Sequence, residues 1–303
     1  MFNKMLQNQT LPTESVAQRI FVISKESSTE KSFAFVRKRF LSRQVGVEMT
    51  SGDTSAADFT GRKILFLIVF LLLAAIANAQ TGKEILAKID SVMNAPKDMT
   101  AIEKMTLRDK DGSQKDRDTK IYQKGSEWRL IRFLKPADVR GVSFLRLASD
   151  RMYLYLPAFR KVRRIASSVK NEDFMGTDFS YEDMSQSSYS DDYTAKLLKK
   201  ENDQYVLELK PKPDADVSYD KLILYADQSN YVYRKIEYYN NGKQLKVLTV
   251  DNIEKFDNYW FGKKMEMRNL KKDHRTILIL NDIKFDQGLS NKIFTERNLK
   301  RPE

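Results

Sequence analysis

The feature that most constrains this chain is a series of short runs, apolar at consecutive positions and separated by turn residues. "YLYL" (153–156), "LILY" (222–225) and "ILIL" (277–280) are the clearest. Successive side chains of a strand point to opposite faces, so a strand with one solvated face alternates apolar with polar residues. These runs do not alternate. Both faces of the sheet must therefore be covered, or one must line an interior. Turn signals fall between the runs at Asp111-Gly112, Asn202-Asp203, Asn241-Gly242 and Lys272-Asp273. Asn-Gly is the strongest, because both residues tolerate the positive φ that a tight hairpin demands. The spacing predicts about a dozen antiparallel strands in a meander, with no βαβ alternation. A curved sheet wrapped round helices, or a partly closed barrel, meets the demand for covered faces.

Two helical segments bracket the strands. In "TGKEILAKIDSVMNAP", Ile85, Leu86, Ile89, Val92 and Met93 share one helical face, Thr81 can cap the start and Pro96 stops it. Near the end, "SNKIFTERNLKR" reads as a short helix capped by Ser290 or Asn291.

The run "ILFLIVFLLLAAI" (64–76) follows Arg62 and Lys63 and leads into "ANAQ", with Ala77 and Ala79 spaced as A-x-A. This is the pattern of a secretory signal peptide cleaved after Ala79. It falls short of the roughly 20 apolar residues that cross a bilayer. Met49 is the expected start of translation. Residues 1–48 then form a non-native upstream extension or a disordered basic arm, 49–79 the signal peptide and 80–303 a single domain. The expected location is the periplasm. The chain has no cysteine, which excludes disulfides, thiolate metal sites and the lipid attachment of a bacterial lipoprotein. Formal charge is +12, and the part after residue 79 stays basic. For an exported protein that favours anionic membrane surfaces and argues against nucleic acid.

Constellations for catalysis are sparse. His274 is the one histidine of the sequence and sits in "KKDHRT", where a solvent-exposed side chain without special role is expected. No glycine-rich phosphate loop is present. In "NEDFMGTDFSYEDMSQSSYSDDY", Glu172, Asp173, Asp178, Glu182, Asp183, Asp191 and Asp192 do not match a calcium loop. Phe174, Phe179 and Tyr181 read as anchors that tuck this excursion against the sheet as a structural loop or lid. No enzyme, metal or cofactor is expected, and a β-rich hydrolase is the least favoured class. The basic cluster Arg160, Lys161, Arg163 and Arg164 divides between two strand faces around Val162. Solvated strand charges are the default reading, and contacts with lipid headgroups or a partner the functional one.

The ordered motifs "WRLIRFLKPADVRGVSFL", "DRMYLYLPAFRKVRRI" and "FMGTDFSYEDM", with the ending "IFTERNLKR", resemble a divergent branch of the outer-membrane lipoprotein-sorting (LolA-like) family. The resemblance spans about residues 81–301. It implies a mainly β fold: an antiparallel half-open barrel with an N-terminal helix and short helices over its concave face. It also implies a soluble periplasmic carrier that binds lipid or lipoprotein acyl chains and moves them between membranes. Lipid or acylated lipoprotein, an inner-membrane exporter and an outer-membrane acceptor are the partners of such a role. The alternative is an envelope sensor or scaffold of the same fold that binds a protein partner. The family's functional arginine has no counterpart at its own position; Lys124, Arg129 and Arg132 stand nearby. For the apolar cavity, strand parity nominates Trp128, Leu130, Met152, Leu154, Leu222, Leu224, Ile277 and Ile279. With parity reversed, Ile131, Phe133, Tyr153, Tyr155 and Ile223 take their place. If the signal reading holds, the protein recovered from the envelope begins at Gln80, which intact-mass measurement and N-terminal sequencing will check.

Overall fold

The computed structural model describes residues 80–148 and 151–301. The expected signal peptide and the segment upstream of it lie outside these. Thirteen strands form one antiparallel sheet: β1 (Asp98–Arg108), β2 (Gln114–Lys124), β3 (Trp128–Lys135), β4 (Ser143–Leu147), β5 (Arg151–Leu156), β6 (Lys161–Ile165), β7 (Tyr193–Glu201), β8 (Gln204–Pro211), β9 (Lys221–Asp227), β10 (Tyr233–Asn240), β11 (Lys243–Phe256), β12 (Tyr259–Asn269) and β13 (His274–Phe285). Their order is β6-β5-β4-β3-β2-β1-β13-β12-β11-β10-β9-β8-β7. Each neighbour is a sequential hairpin partner except at one seam, where β1 pairs with β13. The sheet does not close; β6 and β7 are its free edges.

Local sequence accounts for the turns. Asn202, Asp203, Asn241, Gly242 and Asp273 all adopt positive φ between paired strands, as the turn residues require. Helix α1 (Gly82–Met93) starts with a full capping box. The Thr81 hydroxyl accepts from the Glu84 amide, and the Glu84 carboxylate accepts from the Thr81 amide. Ile85, Leu86 and Ile89 on its inner face are buried on the sheet. The C-terminal segment differs from the single short helix expected. It is a 3₁₀ turn (Asn291–Ile293) capped by Ser290, followed by a separate four-residue helix capped by Thr295.

The topology forces one long connection. From the β6 edge the chain reaches the β7 edge through residues 166–192, which carry α2 (Tyr181–Ser185) and α3 (Tyr189–Asp192). The acidic, aromatic-rich excursion is this connection. Phe174 is fully buried, edge-on to Phe144 and Tyr181 and tilted against Phe133. His274 is not the exposed turn histidine expected. It opens β13 with its side chain only 14% exposed, and its Nδ1 lies 2.6 Å from the buried Asp178 carboxylate. Asp178 also accepts from the Thr276 hydroxyl (2.8 Å) and donates its amide to the same oxygen (2.9 Å), which fixes the connection to β13.

Two apolar clusters result. The larger lies on the concave face, beneath α1 and the connection. The smaller lies on the opposite face of β3 and β4, where Leu130 and Leu145 meet Phe294 and Leu299 of the C-terminal segment. Lys124 donates to the Leu289 carbonyl and Arg132 to the Asn298 carbonyl, holding that segment down. At the seam, the buried Asp98 carboxylate accepts from the amides of Gln287 (2.7 Å) and Leu289 (2.9 Å).

Helix α1 touches β7 at Gly82, where an added Cβ would stand 2.6 Å from both the Ala195 carbonyl oxygen and the Leu197 amide nitrogen. Backbone cannot yield there as a side chain can. Gly82→Ala should displace the helix from the sheet and lower stability by about 1–3 kcal/mol, measured by urea unfolding; Ser113→Ala in an exposed turn is the neutral control.

Candidate functional site: an apolar cavity under a tethered cover

Between the concave face and its cover lies a cavity of about 180 Å³. Sheet residues Met99, Ile121, Ile131, Leu248, Met265, Leu278 and Leu280 form its apolar wall, and Phe179, Met184 and Tyr189 of the connection roof it. Met93 at the end of α1 closes one side. Trp260, 39% exposed, stands where the cavity meets the surface. Gly262 faces Val250 so closely that a Cβ would lie 2.2 Å from its Cγ1, so only glycine lets β12 approach there.

Two charged groups break the apolar wall. Glu103 is buried, and burial raises its pKa from the ordinary 4.5 to about 7 against the opposing effects of the Thr119 hydrogen bond and the Arg129 charge. The Thr119 hydroxyl donates to it at 3.0 Å. Arg129, half-buried, has its pKa lowered to about 10, first by desolvation and then by the nearby Arg146, and stays cationic at neutral pH. It donates to the Met184 carbonyl of α2 (2.8 Å) and twice to the Gln123 side chain (3.0 and 3.3 Å).

The cover is tied on every side by polar groups. Asp183 pairs with Lys246 of β11 at 3.0 Å, both side chains nearly fully buried, and accepts from the Tyr219 hydroxyl (2.9 Å). Glu182, whose pKa burial raises in spite of its hydrogen bonds, accepts from the Ser218 amide and hydroxyl. Asp90 of α1 receives the amides of Tyr189 (2.9 Å) and Ser190 (2.8 Å), while Asn94 donates to the Ser187 carbonyl (2.7 Å). Beyond Gln186 and Ser187, which line both spaces, a polar depression of about 640 Å³ opens beside the sheet edges; Arg164, Lys170, Asp191 and Asp216 are among its walls.

The structure separates the eight residues nominated by parity. Met152, Leu154, Leu222 and Leu224 face the concave side and are buried in its core. Trp128 and Leu130 face the other way, under Phe294 and Leu299. Ile277 and Ile279 also sit on the outer face, Ile279 37% exposed, while Leu278 and Leu280 between them point inward. None of the eight lines the cavity. Of the reversed set, Ile131 lines it, Phe133 is core, and Tyr153, Tyr155 and Ile223 face outward. Arg160, Lys161, Arg163 and Arg164 are exposed on the β5–β6 turn and the β6 edge. Sequence reasoning passed over Glu103 and named Arg129 only as a cation near the position of the family's functional arginine. The signal was there: Glu103 interrupts the inward series Met99, Ala101, Met105, Leu107, and Arg129 stands beside the inward Ile131. Among the described residues no group of three or more His, Asp or Glu gathers as a metal site, and no helix is long and apolar enough to cross a membrane.

A domain from Vibrio parahaemolyticus named for outer membrane lipoprotein sorting is 32% identical to this chain, covers 73% of it and 98% of its own length, and superposes with a TM-score of 0.67. This chain belongs to the outer-membrane lipoprotein-sorting family. A family model described as an uncharacterized protein matches residues 125–301. A DUF1329 family protein from Desulfovibrio piger is 28% identical over 72% of this chain and 97% of its own, with a TM-score of 0.69. A LolA superfamily protein from Nitrosomonas europaea (24% identity, 72% and 99% coverage, TM-score 0.62) shares the fold. No curated protein sequence matches. In this member of the lipoprotein-sorting family the half-open sheet and its roofed concave face are as the LolA-like resemblance implies.

Glu103 makes the site pH-sensitive. Its folded pKa lies above its unfolded one, so the stability it contributes is fully present below about pH 4.5 and is lost as pH rises through about 7. Glu103→Gln should remove that loss, on the order of 3 kcal/mol, so that the variant overtakes the parent between pH 5 and 8 in urea unfolding.

Proposed function

We propose that this chain is a soluble periplasmic carrier that takes acyl chains of a lipid or lipoprotein into the roofed cavity and moves them between membranes. The observation that carries the reading is an apolar space held open under a cover fixed by polar ties, in a member of this family. Each methylene moved from water onto such a wall contributes about 0.8 kcal/mol, so a chain of moderate length is held with no covalent step. The reading calls on no catalytic group.

At about 180 Å³ the cavity, which opens to the surface beside Trp260, compares in volume with the engineered 150 Å³ cavities that accept benzene. A full acyl chain therefore enters only when the cover moves. The ties suit that motion. Arg129 to Met184, Lys246 to Asp183 and Ser218 to Glu182 join groups that water solvates readily once the cover lifts. The apolar roof residues Phe179, Met184 and Tyr189 oppose the motion by the cost of exposing their area, which an incoming acyl chain offsets by covering them. The periplasmic location rests on the expected signal peptide. An exporter at the inner membrane would supply the cargo and an acceptor at the outer membrane would receive it.

Native mass spectrometry of the protein isolated from its envelope should reveal co-purifying lipid, and the stripped protein should take up a fluorescent fatty acid. Met265→Trp, which fills the cavity, should weaken that uptake about tenfold while the melting temperature stays close to the parent's. A protein that is always empty and takes up no fatty acid would overturn the proposal.

A further inference from the structure

The most exposed large apolar side chain among the described residues is Phe159, 63% accessible; the next is at 44%. It sits at the apex of the β5–β6 hairpin, in a 3₁₀ turn (Pro157–Phe159) that ends on Arg160 with φ +50°. Residues 151–165 around it hold five Lys or Arg and no Asp or Glu. Arg160, Lys161, Arg163 and Arg164 are exposed, and none of them forms an ion pair among the described residues. The hairpin is firmly based. Tyr155 pairs with Ser143, and Gly141 approaches so closely that a Cβ there would stand 3.2 Å from Pro157 Cγ. The adjacent β3–β4 loop adds exposed Arg140 beside one acid, Asp138, while Lys135 at the end of β3 pairs with Asp118 at 3.4 Å.

Strand parity puts Lys161 and Arg163 on one face of β6 and Arg164 on the other. For a ligand lying on a sheet face, that division halves the charge. But β6 is a free edge only five residues long. A plane meeting the hairpin edge-on touches both faces at once, so every cation reaches it. Cationic side chains have flexible stems that let the charge stay at headgroup level while an apical aromatic enters the acyl boundary.

We propose that the β5–β6 hairpin is a membrane-docking element that binds anionic phospholipid surfaces edge-on, with Phe159 inserted and the basic cluster on the headgroups. Charge complementarity and the unburied aromatic select this occupant. A protein strand adding to the β6 edge is disfavoured, because charged side chains on both faces of an edge strand oppose strand addition. The proposal goes beyond the carrier reading: it concerns how the chain meets a membrane, whatever the cavity holds.

The absence of cysteine permits a clean test. Ala158→Cys, labelled with an environment-sensitive dye in the otherwise intact protein, is mixed with vesicles of phosphatidylcholine alone or of equimolar phosphatidylcholine and phosphatidylglycerol. The same label at Ser113→Cys, in the β1–β2 turn, is the control. The expected result is a blue shift at position 158 with the anionic vesicles only, with none at 113. A basic residue near such a surface is worth about fivefold in affinity. Arg160→Gln/Lys161→Gln/Arg163→Gln/Arg164→Gln should then weaken binding by at least about 100-fold, and Phe159→Ser by about tenfold. Raising the ionic strength should weaken the parent likewise without any mutation. A label at 158 that stays in water, or that responds equally to neutral and anionic vesicles, overturns the proposal. Fatty-acid uptake measured on the same preparations reports separately on the cavity.

Discussion

An unclosed sheet has two free edges, and here the chain has to travel from one to the other. That single constraint organises the molecule. β6 and β7 end the sheet, and residues 166–192 join them across the concave face. The connection cannot lie in water, because Phe174, Phe179 and Met184 need burial, and it cannot join the sheet, because its turns and short helices offer no strand to pair. It becomes a roof. The cavity is the part of the concave face that the roof spans without filling.

The roof is positioned by charge as much as by packing. A buried ion pair such as Asp183–Lys246 is worth little net stability, since desolvation offsets most of the attraction. What it supplies is position: with Ser180, Tyr219 and Lys246 converging on one carboxylate, α2 has one well-satisfied placement. Asp90 does the same for α3 from the opposite side. The apolar contacts beneath would tolerate small slides; the hydrogen bonds would not.

The sequence was legible where structure is local. Turn residues with positive φ mark hairpins at Asn202-Asp203 and Asn241-Gly242, and the Thr81–Glu84 box marks the start of α1. Fold class followed from strands apolar on both sides. The same property hid the cavity. β3 is apolar outward at Leu130 only because Phe294 and Leu299, from the far end of the chain, cover it, so parity on that strand had no unique answer. Inward-facing residues such as Leu222 and Leu224 are core or cavity according to where the roof rests, which depends on contacts such as Lys246–Asp183 between distant segments. His274 was misjudged for the same reason: its partner Asp178 is 96 residues away.

The seam between β1 and β13 has a consequence for how such a chain is made. The strands on either side of it are runs of neighbouring hairpins, each able to pair as soon as it exists. The first strand, however, finds one of its two partners only when the last is available, and Asp98 secures the join through amides beyond it, at Gln287 and Leu289. Until residues 274–289 emerge, β1 presents an open edge and the concave face lacks a wall. A nascent or partly threaded chain is thereby kept from finishing its barrel early. The sheet is therefore completed only by a contact between the two ends of the described chain, the most non-local pairing it contains.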